Sequence, residues 1–146
     1  MVFTIVGGNT RQFKLQSDNG EVIFSTARKS FLKQAKKLYV GDKVCLDEDG
    51  CIYQVMPREN LLYRPKIANV DYMCVVTSLK RPDFSSYLLD KFLTYLNFQN
   101  IKPYIVFTKS DLLSDEELEK ITNYKHYYES IGIKAIIVSA KNPDSV

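Results

Sequence analysis

The sequence predicts two structural classes in one chain, an all-β first part and an α/β second part. Up to Met56, short stretches of alternating character are broken by Gly, Asn and Asp. Beyond Asp71, continuous apolar stretches alternate with amphipathic ones of helical period. With 146 residues, 45% of them hydrophobic and 25% charged, the composition is that of a globular chain. The length accommodates one medium domain or two small ones, and the change of character puts a boundary between residues 1–66 and 67–146.

The strands of the first part follow in order. Residues 1–6 (MVFTIV) stop at Gly7-Gly8-Asn9, and residues 11–16 (RQFKLQ) put Phe13 and Leu15 on one face before Ser17-Asp18-Asn19-Gly20. Residues 21–26 (EVIFST) form the third. Residues 42–47 (DKVCLD) and 51–56 (CIYQVM) flank Glu48-Asp49-Gly50, a hairpin signal of the Asp-Gly kind. Five short strands with one basic insertion suggest a small barrel, OB-like or SH3-like, the OB type being five-stranded and a frequent nucleic-acid binder.

Residues 57–70 (PRENLLYRPKIANV) have little periodicity and two prolines, so a linker or a docked loop is expected. Residues 72–78 (YMCVVTS) read as a buried strand. Pro82 and Asp83 open a helix with Leu89, Phe92, Leu93 and Leu96 at helical spacing. Pro103 leads into the strand YIVF. Ser114 and Glu117 form a capping box, and Asp115, Glu116 and Glu117 suit the positive end of the helix dipole. That helix carries Leu118, Ile121, Tyr128 and Ile131 on one side, Gly132 is a left-handed stop, and residues 133–139 (IKAIIVS) make the last strand. A β-α-β-α-β order predicts right-handed crossovers and a parallel sheet covered on both faces.

The net charge of +3 is uneven: residues 1–66 hold a surplus of Lys and Arg, while residues 67–146 hold one more acid than base. Arg28, Lys29, Lys33, Lys36 and Lys37 fall within ten residues with no acid among them. They form either a solvated face or a contact for a phosphate backbone, where clustered cations gain free energy by releasing counterions. Cys45, Cys51 and Cys74 form no C-x-x-C pair and read as reduced cytosolic thiols. His126, the only histidine, reads as a solvated helix position. No apolar run approaches the roughly 20 residues of a membrane span, and strand-like sequence from the start leaves no room for a signal peptide, so a cytoplasmic protein is expected.

Ligands of open parallel sheets bind beyond the carboxyl ends of the strands. Thr108-Lys109-Ser110-Asp111 follows one strand end and Ser139-Ala140-Lys141 the next. Guanine presents two adjacent donors, N1–H and its amino group, which one carboxylate can accept together. Adenine has no such pair, so an Asp111 held at this rim would reject it through unmatched polar groups. The Lys109 stem can lie along the base, the Ala140 N–H can donate to the guanine carbonyl oxygen, and Lys141 can cover the opposite face. The alternative is a solvated loop in which Asp111 begins a turn. A response-regulator-like reading needs clustered acids at a strand end, whereas Asp71 stands alone. The phosphate loop G-x-x-x-x-G-K-[ST] is absent from the sequence. Either the motif order is permuted and that loop belongs after Val146, or the chain is no GTPase.

Taken together, Pro57-Arg58, Asn60, Arg64-Pro65, Ala68-Asn69-Val70-Asp71, Leu88-Leu89-Asp90, Lys109, Asp111-Leu112-Leu113 and Ser139-Ala140 resemble the N-terminal part of the circularly permuted, small-subunit-dependent GTPases, the RsgA/YjeQ family. The resemblance covers essentially the whole chain and is most specific over residues 64–71. It implies an OB domain that contacts rRNA, followed by the first half of a permuted P-loop GTPase domain, with the phosphate loop and switches later and a zinc-binding domain at the end. It further implies GTP or GDP with Mg²⁺ as ligands, the small ribosomal subunit as partner and release from it on hydrolysis; a monomer is expected separately. It makes Thr108, Lys109, Asp111, Ser139, Ala140 and Lys141 the guanine-binding residues. Thr108 stands where the family usually has Asn, which implies weaker base binding. On this reading residues 1–146 are a fragment without hydrolytic activity; the alternative is a non-enzymatic RNA- or ribosome-binding module.

Overall fold

The computed structural model describes residues 2–9, 11–33 and 37–142, with only the main chain of residues 32 and 33. The chain divides into two compact units, Met1–Val70 and Asp71–Val146.

The first unit contains β1 (Val2–Gly8), β2 (Phe13–Gln16), β3 (Val22–Ser25), α1 (Lys29–Lys33), β4 (Lys43–Leu46) and β5 (Ile52–Val55). All pairings in its sheet are antiparallel, in the order β3-β2-β1-β4-β5. Alternation decides which side is inward: Phe3, Ile5, Leu15, Val44 and Ile52 form the buried cluster. The Asp-Gly hairpin is present, with the Gly50 N–H donating to the Asp47 carbonyl at 3.0 Å. A full barrel is not closed by a continuous ladder. The sheet curls until its edges meet around one parallel bridge, Ala27 to Ile52, where the Ile52 N–H donates to Thr26 O at 2.8 Å and the Arg28 N–H to Ile52 O at 3.0 Å.

Residues 57–70 are a docked loop of this unit. The Arg58 guanidinium meets the Asp42 carboxylate through Nε–Oδ1 at 2.6 Å, and its second nitrogen donates to the Lys37 carbonyl at 2.7 Å. Asp42 is fully buried, and its Oδ2 accepts from the Tyr39 N–H at 2.8 Å. This hydrogen-bonded pairing raises the Arg58 pKa further. The Asn60 amide bonds both main-chain groups of Val70, and Asn69 Nδ2 donates to the Gly41 carbonyl, all at 2.8 Å. Gly41 has φ +88°, and a Cβ there would lie 1.9 Å from the Ala68 carbonyl oxygen, so only glycine fits.

The second unit runs β6 (Tyr72–Ser78), α2 (Ser86–Phe98), β7 (Lys102–Thr108), a 3-10 turn (Ser110–Leu112), α3 (Asp115–Ser130) and β8 (Lys134–Ile137). The strands pair in parallel in the order β6-β7-β8. The capping box at Ser114 is formed in both directions, Glu117 N–H to Ser114 Oγ at 3.3 Å and Ser114 N–H to Glu117 Oε2 at 2.8 Å. Gly132 closes the helix end at φ +86°.

Three expectations are corrected. The first helix begins at Ser86, capped by Ser85, not at Pro82. Of the residues placed on the apolar stripes, Leu89, Leu93, Leu96, Ile121 and Tyr128 are buried, whereas Phe92, Leu118 and Ile131 lie on exposed surface. Only one face of the parallel sheet is covered within this unit, because Leu89, Leu93, Ile121 and Tyr128 join Ile105 and Phe107 in a single cluster. Strands laid down in one direction with right-handed crossovers put successive helices on the same side, and covering the other side requires a reversal of strand order. The opposite face presents Val76, Val106 and Ile136 side by side in register, Val76 being 65% exposed.

Candidate functional site

Two consecutive strand ends build the site. Thr108 ends β7, and its hydroxyl donates to the Thr77 carbonyl at 3.2 Å, so the side chain is turned onto β6. Lys109 then takes a left-handed conformation (φ 64°, ψ 38°), which reverses the chain into the 3-10 turn and directs its ammonium to the Arg81 carbonyl. The Ser110 N–H donates to Val138 O at 3.3 Å and the Val138 N–H to Phe107 O at 2.8 Å, fixing the turn against the end of β8.

Asp111 therefore faces the segment after β8. Its Oδ1 accepts from the Ser139 hydroxyl at 2.6 Å, and its Oδ2 lies 3.3 Å from the Lys141 ammonium. Ser139 is buried, and its Oγ accepts from the Lys141 N–H at 3.2 Å. The Ser139 hydroxyl, and after it Lys141, hold the Asp111 carboxyl below the usual carboxylate range. Ala140 is exposed, and its N–H has no acceptor among the described residues. Thr108, Lys109, Asp111, Ser139, Ala140 and Lys141 all line one cleft of about 560 Å³ whose exposed walls are mostly hydrocarbon. The arrangement offers a planar ligand a carboxylate, a main-chain donor and two lysine stems.

Lys80, to which the sequence pattern gave no role, braces this rim: its ammonium lies 2.7 Å from Glu117 Oε2 and 3.3 Å from the Leu112 carbonyl. The capping box already hinted that Glu117 was fixed, but nothing in the linear pattern pointed to its partner.

In the first unit, the basic segment divides. Arg28 is taken up by carboxylates of the β4–β5 turn, bonding Asp47 and, at 2.7 Å, Asp49. Lys29 and Lys37 are exposed. Lys33 ends α1, and Lys36 lies outside the described residues. No group of three His, Cys, Asp or Glu among the described residues could hold a metal ion. No described helix is long and apolar enough to cross a membrane.

Residues 55–146 match the RsgA GTPase family. This chain belongs to that family. A small ribosomal subunit biogenesis GTPase RsgA from Leuconostoc citreum is 38% identical over 133 residues, 89% of this chain and 44% of that protein. A second relative of the same name, RsgA 2 of Oceanobacillus iheyensis, is 40% identical over 136 residues, 90% of this chain and 46% of its own. The crystal structure of YjeQ from Thermotoga maritima superposes with a TM-score of 0.83 at 32% identity, covering 96% of this chain and 52% of that one. YloQ, described as a circularly permuted GTPase, gives 0.85 at 32% identity over 99% of this chain and 53% of its own. The chain thus spans about half the length of the family members it matches.

Proposed function

We propose that this chain is the rRNA-contacting and guanine-selecting part of a small ribosomal subunit maturation GTPase. It would act in the cytoplasm as a monomer, with the first unit (residues 1–66 in the sequence reading) as an OB-type RNA-binding domain and the remainder as half of a permuted GTPase domain. The observation that carries the nucleotide reading is the Asp111–Ser139 contact inside a cleft shared with Lys109 and the Ala140 N–H. Asp111 accepts from guanine N1–H and the amino group, once Lys141 swings from Oδ2 to the open face of the base. The Ser139 hydroxyl keeps the carboxylate ionised and correctly turned. Ala140 N–H donates to the guanine carbonyl oxygen, and the Lys109 stem forms the other wall. Thr108, bonded to Thr77, contributes to the shape of the rim rather than to bridging.

The names of the relatives support the ribosomal role, and exposed Lys29 and Lys37 support RNA contact through the basic segment. Neutralising Lys29, Lys33 and Lys36 together should flatten the salt dependence of rRNA affinity; an unchanged slope points to another surface. Titrating labelled protein with GDP and with ADP tests the base site. Amide shifts at Lys109, Ala140 and Lys141 with GDP alone, lost in Asp111→Ala, are expected; equal responses to the two nucleotides overturn the reading. A second reading is a ribosome-binding module with no nucleotide role, in which Asp111 keeps its pairing with Lys141. Under either reading, no phosphate release from GTP is expected from residues 1–146.

A further inference from the structure

Tyr63 is 67% exposed, and Arg64, Pro65 and Lys66 beside it are exposed as well. This run is not loose. Its stems are tied by the Leu62 N–H to Ile67 O at 2.9 Å and the Ala68 N–H to Val40 O at 2.8 Å, with Leu62 and Ala68 buried beneath. A rigid loop thus holds a large ring out in water. The Lys66 ammonium lies 5.8 Å from the Tyr63 ring centre and 6.0 Å from that of Tyr39, and the Arg64 guanidinium 5.7 Å from Tyr63. These are outer-limit cation–π distances, so the rings are flanked by charge without being sealed by it. Arg58 is nearer Tyr39, at 4.8 Å, and is neutralised by Asp42.

Next to Tyr39 opens a cleft of about 600 Å³ lined by Lys37, Met56, Arg58 and Leu61 among others, with no Asp or Glu in its wall. Lys37, Arg64 and Lys66 form no ion pair among the described residues. We infer that Tyr39 and Tyr63, with Lys37, Arg64 and Lys66, form a stacking platform for unpaired nucleotides of an RNA strand. A base lies against the Tyr63 ring and displaces Lys66 toward the adjoining phosphate, and the next base enters the apolar cleft. An aromatic ring flanked by cations suits a base with its phosphate, and a base can reach that ring only where it is unstacked, which selects single strands and loops over duplex. This deepens the RNA reading above and shares Lys37 with the basic segment, but its rings, Tyr39 and Tyr63, lie outside that segment.

The test is fluorescence anisotropy of the 146-residue chain with a labelled single-stranded oligoribonucleotide, an RNA duplex of equal charge and an oligoglutamate competitor. Tyr63→Ala should weaken single-strand binding roughly five- to one-hundred-fold without changing the slope of log K against log salt. Tyr63→Phe should bind as the parent does. Lys66→Gln should lower the slope by about 0.7. Because Tyr63 is solvent-exposed, Tyr63→Ala should keep the parent's unfolding midpoint. Single-strand affinity unchanged in Tyr63→Ala overturns the inference, as does duplex binding or oligoglutamate competition equal to that of the single strand. If Lys29→Gln lowers the slope while Tyr63→Ala has no effect, the platform fails and the α1 reading stands. If the reverse holds, the platform stands alone. No binding of the single strand at low salt overturns both.

Discussion

The buried Ser139 hydroxyl donates to Asp111 Oδ1 across 2.6 Å, joining the chain after β8 to the turn after β7. A carboxylate at a sheet rim is thereby given one orientation and one protonation state. Ser139→Ala should raise the Asp111 titration midpoint toward the ordinary 3.8, read by carboxyl-carbon NMR. The folded value lies below the unfolded one, so the contribution of this contact to stability is present above the unfolded value and is lost as pH falls through the folded one. The stability difference between parent and variant should therefore be constant near neutrality and shrink in acid. A difference independent of pH would contradict this origin of the shift.

Arg58 and Asp42 form the ion pair on which the docked loop turns. Removing one partner leaves the other charge without its match in a buried setting. Arg58→Ala should destabilise the first unit by about 3–5 kcal/mol in denaturant unfolding. Replacement of both residues by apolar ones of similar volume should cost less than either single change. A single substitution that costs under about 1 kcal/mol would mean the pair is not buried in solution.

Gly41→Ala meets two obstacles at once, a left-handed φ and the Ala68 carbonyl. We expect a loss of about 2 kcal/mol or more, confined to the first unit, with amide exchange accelerated around Val40 and Ala68. Unchanged exchange there would show that the loop can retreat without penalty.

Tyr128 links α3 to α2 through its hydroxyl, which donates to Asp90 Oδ1 at 2.8 Å. Burial first, and Asp90 after it, push the phenol above its ordinary 10.0. This contribution is fully present below pH 10.0 and is lost as pH rises toward the higher folded value. Absorbance titration should leave one phenol unionised after the exposed tyrosines have titrated. Tyr128→Phe should remove that late step and cost about 1 kcal/mol.

Much of this was legible in the sequence because it is local. Period-two alternation marked Phe13 and Leu15, Asp49-Gly50 marked a hairpin, and Ser114 with Glu117 marked a helix start, each within a few residues of chain. The relation of Asp111 to Ser139 followed from topology, since parallel strands bring successive carboxyl ends to one rim. What escaped was long-range or competitive. Arg28 read as free for RNA because Asp47 and Asp49 lie some twenty residues on, within reach only after the sheet curls. The helix start slid from Pro82 to Ser86 because Ser85 supplies a cap and the preceding residues do not. Leu118, Ile121, Tyr128 and Ile131 all matched the apolar spacing of α3, but only Ile121 and Tyr128, which join the cluster around Phe107, are buried.

The bare row of Val76, Val106 and Ile136 has a practical consequence for anyone preparing this polypeptide. Contiguous hydrocarbon left wet is sticky, and among the described residues strands β6 and β8 each keep one flank unpaired for another molecule to extend. Concentrated stocks should self-associate more readily than their net charge suggests, and reporter dyes such as ANS should brighten on the native state. Polar replacement of Val106, midway along that row, is the simplest route to a well-behaved sample.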